Sequence, residues 1–280
     1  MTKPLLAIRD LSIDYAGHIQ AVRKANLDVR LGEAVGLVGE SGSGKSTLAS
    51  AITGLLPESA RILSGDISFN GKIITGSDQA ALRGDEIAMV FQDPMTAFNP
   101  VLTIGDQLVD FQNRLRGSAA EKSERAIAML ARVGIPDPAS RARYYPHELS
   151  GGMRQRAAIA AALLVSPSLL IADEPTTALD VTMEAQIIHL FRELRRDYGG
   201  GILIVTHHLG VVAELCDRVC VMYQGEMVEE GAVDDIFHNP RHPYTRALLA
   251  CDPARLHERT DYLPVITDAE RATFRGASTR

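Results

Sequence analysis

The chain has 280 residues, 46% of them apolar, and a formal net charge of −6, enough for one large domain with at most a modest appendix. The lack of tryptophan, the 5% aromatic content and the acidic balance argue against a stacking platform for single-stranded nucleic acid and against a basic DNA-binding module. Cys216, Cys220 and Cys251 are too few for a disulfide framework and fit a reducing cytosol. Residues 5–29 alternate apolar and polar side chains around a turn at Ala16-Gly17-His18 and predict antiparallel strands. Residues 34–38 form a short apolar run leading into a glycine-rich loop, and 47–54 predict a helix. Residues 65–71 and 86–92 predict further strands. From 103 to 165 the period changes: 103–115, 121–133 and 151–165 show helical spacing, punctuated by Pro136, Pro138 and Pro146. This predicts a helical subdomain inserted into an α/β core. Residues 168–172 and 201–205 are continuous apolar runs suited to buried parallel strands, with a helix over 182–198 between them. Residues 218–230 predict a hairpin around Gln224-Gly225, and the tail after Cys251 is charged and loosely patterned.

No run approaches the ~18 apolar residues that a membrane span requires; the longest is 157–165. The opening MTKPLLAIRDLS is interrupted by charge and does not read as a signal peptide. Any membrane role is therefore expected to come through a partner. Cys216 and Cys220 stand four apart, a spacing open to a metal pair, but both fall in apolar runs with no ligand cluster nearby in sequence and read as core residues.

Residues 39–46, GESGSGKS, satisfy G-x-x-x-x-G-K-[ST] at every fixed position, after a predicted strand and before a predicted helix. Glycines let backbone N–H groups converge on a polyanion, and the helix adds its positive end. Lys45 supplies a cation for the β- and γ-phosphates, and Ser46 a hydroxyl for Mg2+. A chance glycine turn would lack that strand–helix context. Farther on, LLIADE (169–174) is an apolar strand ending in two acids. Adjacent carboxylates after a buried strand are costly unless something cationic uses them. Asp173 is the candidate for Mg2+, directly or through water, and Glu174 the candidate general base. The alternative, acids capping the next turn, weakens once a P-loop lies upstream.

The string LSGGMRQ (149–155) resembles the signature of the ATP-binding-cassette (ABC) ATPases. Physically it is a second glycine-rich helix start, capped by Ser150, and so a second anion site. The resemblance runs in order over about residues 5–250. It implies an α/β P-loop ABC ATPase cassette with an antiparallel β subdomain and an inserted helical subdomain. The ABC ATPase domain would span 1–250, with the helical part at about 93–165, and 251–280 would be a peripheral C-terminal extension. It implies ATP and Mg2+ as ligands. Tyr15 would lie under the adenine, and Gly39, Ser41, Gly42, Gly44, Lys45, Ser46 and Thr47 would hold the phosphates. Ser150, Gly151 and Gly152 would reach a nucleotide held by a partner subunit, with Asp180, in Ala178-Leu179-Asp180, at the subunit contact. Gln92, Glu174 and His207 would be catalytic, and Ser46, Gln92 and Asp173 would serve the metal. His208 departs from the aspartate common at that place, which puts one local hydrogen bond in doubt.

The strings FQDPMTAFNP (91–100), YPHELS (145–150) and NPRHPYT (239–245) resemble the oligopeptide/dipeptide/nickel permease ATPases. Met153 resembles the first of the two paralogous ATPases in such systems. That branch implies an importer for peptides or related solutes such as nickel, opines or glutathione. Implied partners are a second, paralogous or identical ATPase, two transmembrane permeases and, indirectly, a substrate-binding protein. The implied location is the cytoplasmic face of the inner membrane. Residues 95–99 are the expected docking surface for the permease. Many members carry a cysteine-rich iron–sulfur segment past HPYT; only Cys251 stands there, so no cluster is expected. A soluble ABC ATPase acting on DNA or ribosomes is the alternative, disfavoured by the single cassette and the acidic balance. A P-loop kinase or GTPase would not explain LSGG.

Overall fold

A computed structural model describes residues 3–17, 19–94, 96–177, 179–252 and 266–274. His18, Met95 and Ala178, which the sequence places in a turn, in the docking surface and before Asp180, lie outside the described residues, as do 253–265 and 275–280. The chain divides into two units: Met1–Ile74 with Leu203–Arg280, and Thr75–Ile202.

The first unit opens with β1 (Leu6–Tyr15) and β2 (Ile19–Val29), paired antiparallel from Leu6↔Val29 to Tyr15↔Ile19. Their inward residues, Leu6, Ile8, Leu11, Ile13, Val22 and Leu27, are buried, as the alternation requires. Bulges at Asp10 and Lys24, with φ of 46° and 42°, shift the register without turning the apolar set outward. Strand β3 (Ala34–Val38) is buried throughout and leads to helix α1 (Lys45–Thr53). Strand β4 (Ala60–Phe69) pairs with β1 as far as Tyr15↔Ala60, and the short β5 (Lys72–Ile73) completes a sheet of order β2-β1-β4-β5. The sequence predicts a strand here only over 65–71. The N-terminal half of β4 faces solvent, so backbone pairing forms it with no alternation to read.

The second unit begins with α2 (Gly76–Leu82) and β6 (Ile87–Val90). The helices follow: α3 (Ile104–Asp110), α4 (Ala119–Arg132), α5 (Pro138–Arg141), a single 3-10 turn at Pro146–Glu148, and α6 (Gly151–Leu163). Thr103 caps α3 by accepting the Asp106 N–H (3.1 Å). Ser118 and Glu121 form a reciprocal capping box on α4. Helix α3 stops short of the expected residue 115, because the N–H groups of Gln112, Asn113 and Leu115 bond three residues back rather than four. Strand β7 (Leu169–Asp173) runs parallel to β6, Ile87↔Leu169 to Val90↔Ala172, and helix α7 (Val181–Asp197) follows.

Strand β8 (Gly201–Thr206), buried along its length, carries the chain from the second unit back to the first. Helix α8 (Leu209–Leu215) and strand β9 (Arg218–Tyr223) follow, and β9 runs parallel to β3, Val35↔Arg218 to Val38↔Val221. The hairpin to β10 (Glu226–Ala232) turns at Gln224-Gly225, both with positive φ (46° and 88°). Helices α9 (Val233–His238), α10 (Pro243–Ala250) and α11 (Asp268–Phe274) end the described chain. Among the described residues no helix is long and apolar enough to cross a membrane.

Candidate nucleotide site

In the first unit the loop 39–44 joins the end of β3 to the start of α1. A Cβ on Gly39 would collide with the Met222 carbonyl oxygen, and one on Gly44 (φ 106°) with the Ala21 carbonyl oxygen. Glycine at both places therefore lets the loop pack against the backbone of β9 and β2. Gly42 (φ 78°) faces open space, so glycine there serves the backbone turn alone. The Gly225 N–H donates to the Ser43 carbonyl (2.9 Å), tying the loop to the β9–β10 turn. Lys45 is buried, and its Nζ donates to the carbonyls of Gly39 (2.8 Å) and Glu40 (2.9 Å). The loop thus holds its cation on its inner side while Ser41, Gly42 and Ser46 are exposed. Tyr15, at the end of β1, shares a 3.2 Å hydrogen bond with Thr47 Oγ1, so both lie beside the start of α1. His207 is exposed just after β8, its ring 4.8 Å from that of His208 and edge-on to it. The His208 N–H donates to Thr206 Oγ1 (3.0 Å), a bond from the main chain that any residue but proline could make at 208.

In the second unit Asp173 ends β7 and Glu174 follows it, 6% and 8% exposed. Glu174 has φ of 49°, a left-handed conformation that costs a non-glycine residue about 1–3 kcal/mol and concentrates at functional positions. Thr177 Oγ1 donates to Glu174 Oε2 (2.9 Å), fixing one carboxylate oxygen. Gln92 is exposed in the segment after β6. Ser150 caps α6, its Oγ accepting the Met153 N–H (3.3 Å). A Cβ on Gly151 would meet nothing, whereas one on Gly152 would meet the tip of the Met183 side chain. Gln155 of α6 donates to the Pro175 carbonyl (2.8 Å), which links the signature helix to the loop that carries Glu174. Asp180 caps α7 by accepting the Met183 N–H (2.9 Å).

The structure thus gathers Tyr15 and 39–47 in one unit, and Asp173, Glu174, the start of α6 and Asp180 along connected loops of the other. Sequence reasoning gave no site role to Glu40, to Tyr244 within NPRHPYT, or to Arg271, which meet at the phosphate loop. A variable position inside a motif and two residues far down the chain give no local signal of this.

The ABC transporter family matches residues 22–177, and the oligopeptide/dipeptide transporter C-terminal region matches 228–275. The chain belongs to the ABC transporter ATPase family. As an ABC ATPase it has similar relatives across bacteria. The dipeptide transport ATP-binding protein DppD of Bacillus subtilis is 48% identical over 257 residues, 89% of this chain and 77% of that protein. The oligopeptide transport ATP-binding protein OppD of Salmonella typhimurium is 47% identical over 268 residues, 93% and 80% of the two chains. Among solved structures, the ABC subunit cbiO1 of Clostridium perfringens matches with a TM-score of 0.74 and 29% identity over 85% of this chain and 92% of that one. A dimer of the cassette MJ0796 bound to ADP and Pi matches with a TM-score of 0.71 and 29% identity, over 81% and 98%. ATP hydrolysis is the activity of this ABC ATPase, on the α/β cassette fold those structures share.

Proposed function

We propose that this chain is the ATP-hydrolysing subunit of a peptide importer, acting as one half of a nucleotide-sandwiching dimer beneath permease subunits at the cytoplasmic face of the membrane. The observation that carries the reading is the glycine loop 39–44, whose Gly39 and Gly44 leave room for no side chain and whose Lys45 is buried against its own carbonyls. Such a loop suits a polyanion and little else. The names of the relatives, and the match of 228–275 to a peptide-transporter region, support peptides as the cargo.

In this reading Tyr15 stacks on the base, and Gly39, Ser41, Gly42, Gly44, Lys45, Ser46 and Thr47 bind the phosphates. Lys45 exchanges carbonyl partners for phosphate oxygens as the triphosphate enters. Ser46, Asp173 and Gln92 offer a hydroxyl, a carboxylate and an amide, which fits an ion that takes few protein ligands beside phosphate and water. Mg2+, when bound, neutralises charge on the β- and γ-phosphates. Glu174 accepts a proton from the attacking water, with the carboxylate oriented by Thr177 and by His207. Ser150, Gly151 and Gly152 present a capped helix start to the γ-phosphate held by the facing subunit, and Asp180 lies at the same contact. Closure excludes water and assembles these groups, and catalysis then rests on positioning and charge.

The test uses the full chain, alone and with its paralogous subunit. Lys45→Ala should lose tight ATP binding. Glu174→Gln should bind ATP, stop hydrolysis and accumulate a dimer by light scattering. Turnover by the Glu174→Gln protein at the parent rate would overturn the base assignment.

A further inference from the structure

Glu40 is the one acid in the loop 39–47, and each of its polar groups is engaged. Its N–H donates to the Tyr244 hydroxyl (2.9 Å). Its carbonyl accepts from Lys45 Nζ (2.9 Å) and the Ser43 N–H (3.1 Å). Its two carboxylate oxygens accept from the two Nη atoms of Arg271, each at 2.8 Å. Tyr244 lies on α10 and Arg271 on α11, both within the 228–275 region. Phe274, 5% exposed, seats α11 against Tyr223 and Tyr244, with ring centroids 5.5 and 5.6 Å away.

A bare carboxylate in an anion-binding loop repels the phosphates it should admit. A fork-to-fork pair with arginine removes that charge and fixes the side chain. The two side chains are 35% and 31% exposed, so the pair contributes little to folding, and its effect should appear at the nucleotide instead. We propose that Arg271 and Tyr244 are positioning residues for the nucleotide, through which the C-terminal segment clamps Glu40, cancels its charge and holds the phosphate loop. By linkage, docking of α11 and binding of ATP favour each other. The inference rests on the reading of 39–47 as the ATP site.

The experiment is a double-mutant cycle on the full chain, read as the Kd for a fluorescent ATP derivative with Mg2+. Arg271→Ala should weaken binding about three- to fivefold, because it bares the Glu40 charge. Glu40→Gln should bind at least as well as the parent. Arg271→Ala in the Glu40→Gln background should cost nothing further, and Arg271→Lys should restore part of the loss. In hydrolysis assays Arg271→Ala should raise KM and keep kcat within about twofold. Hydrogen exchange over 268–274 should slow on adding ATP to the parent chain and not to Glu40→Gln. A Kd for Arg271→Ala within about 1.5-fold of the parent, or an equal loss with and without the Glu40 charge, overturns the clamp. If the parent chain fails to bind the derivative, or Lys45→Ala binds it equally well, the ATP site itself is misread, an outcome separate from failure of the clamp.

Discussion

Replacing Gly44 by alanine separates steric fit from backbone freedom, because Gly42 supplies the control. Gly42 has φ of 78° with open space around it, and Gly44 has φ of 106° with the Ala21 carbonyl oxygen and the Met222 side chain where a Cβ would stand. Alanine at 42 carries left-handed strain of about 1–2 kcal/mol, offset by about 0.4–1 kcal/mol of lost unfolded-chain entropy. The net cost is roughly 1 kcal/mol. Alanine at 44 carries comparable strain or more, plus an overpacking cost of about 1–3 kcal/mol, since a backbone oxygen cannot rotate away as a side chain can. The difference is about 2 kcal/mol, or roughly 3–4 °C in melting midpoint for a chain of this size. Differential scanning fluorimetry of the two variants, with and without ATP, reads it directly. Gly44→Ala should also lose ATP binding, since relief of the collision moves the loop. Equal midpoints, or intact ATP binding by Gly44→Ala, would show that the packing of the loop against β2 has been misjudged.

Ser150→Ala removes the acceptor for the Met153 N–H and should cost about 1 kcal/mol in urea unfolding. It should also slow ATP hydrolysis by the dimer while leaving ATP binding by a single chain intact; unchanged hydrolysis would remove the signature helix from the γ-phosphate. Burial pushes the Cys220 thiol well above its usual pKa, so it stays protonated and unreactive through neutral and mildly alkaline pH. Cys251, partly exposed, should react first with a disulfide reagent, and Cys216 and Cys220 only on unfolding. Simultaneous reaction of all three thiols in native buffer would contradict the packing of β9.

What could be read from sequence was whatever burial or a fixed loop geometry imposes locally. The runs at β3, β7 and β8 are apolar because both faces are covered, and GESGSGKS is spaced by the turn it makes. LSGG was legible because its cap acts within four residues, Ser150 on the Met153 N–H, and because the string resembles the family signature; the close approach of Met183 to Gly152 is not local and left no mark. The first half of β4 was illegible because its side chains face water, and pairing with β1 leaves no mark on composition. The end of α3 depends on Gln112, whose buried amide donates to the Leu108 and Lys122 carbonyls, a contact that helical periodicity does not encode. The Glu40–Arg271 pair spans 231 positions, beyond any window in which pattern can speak.

The first unit is stitched from two segments far apart in the chain, 1–74 and 203–280, and this has a consequence for synthesis. Strand β3, on which the phosphate loop is mounted, meets its neighbour β9 only after residue 218 has left the ribosome, and Arg271 arrives later still. Such distant pairings fold slowly. A nascent or truncated chain would carry the glycine loop with β2 beside it but without the β9 wall that meets Gly39. Competence to take up ATP should therefore appear only after residue 271 has emerged and paired with Glu40.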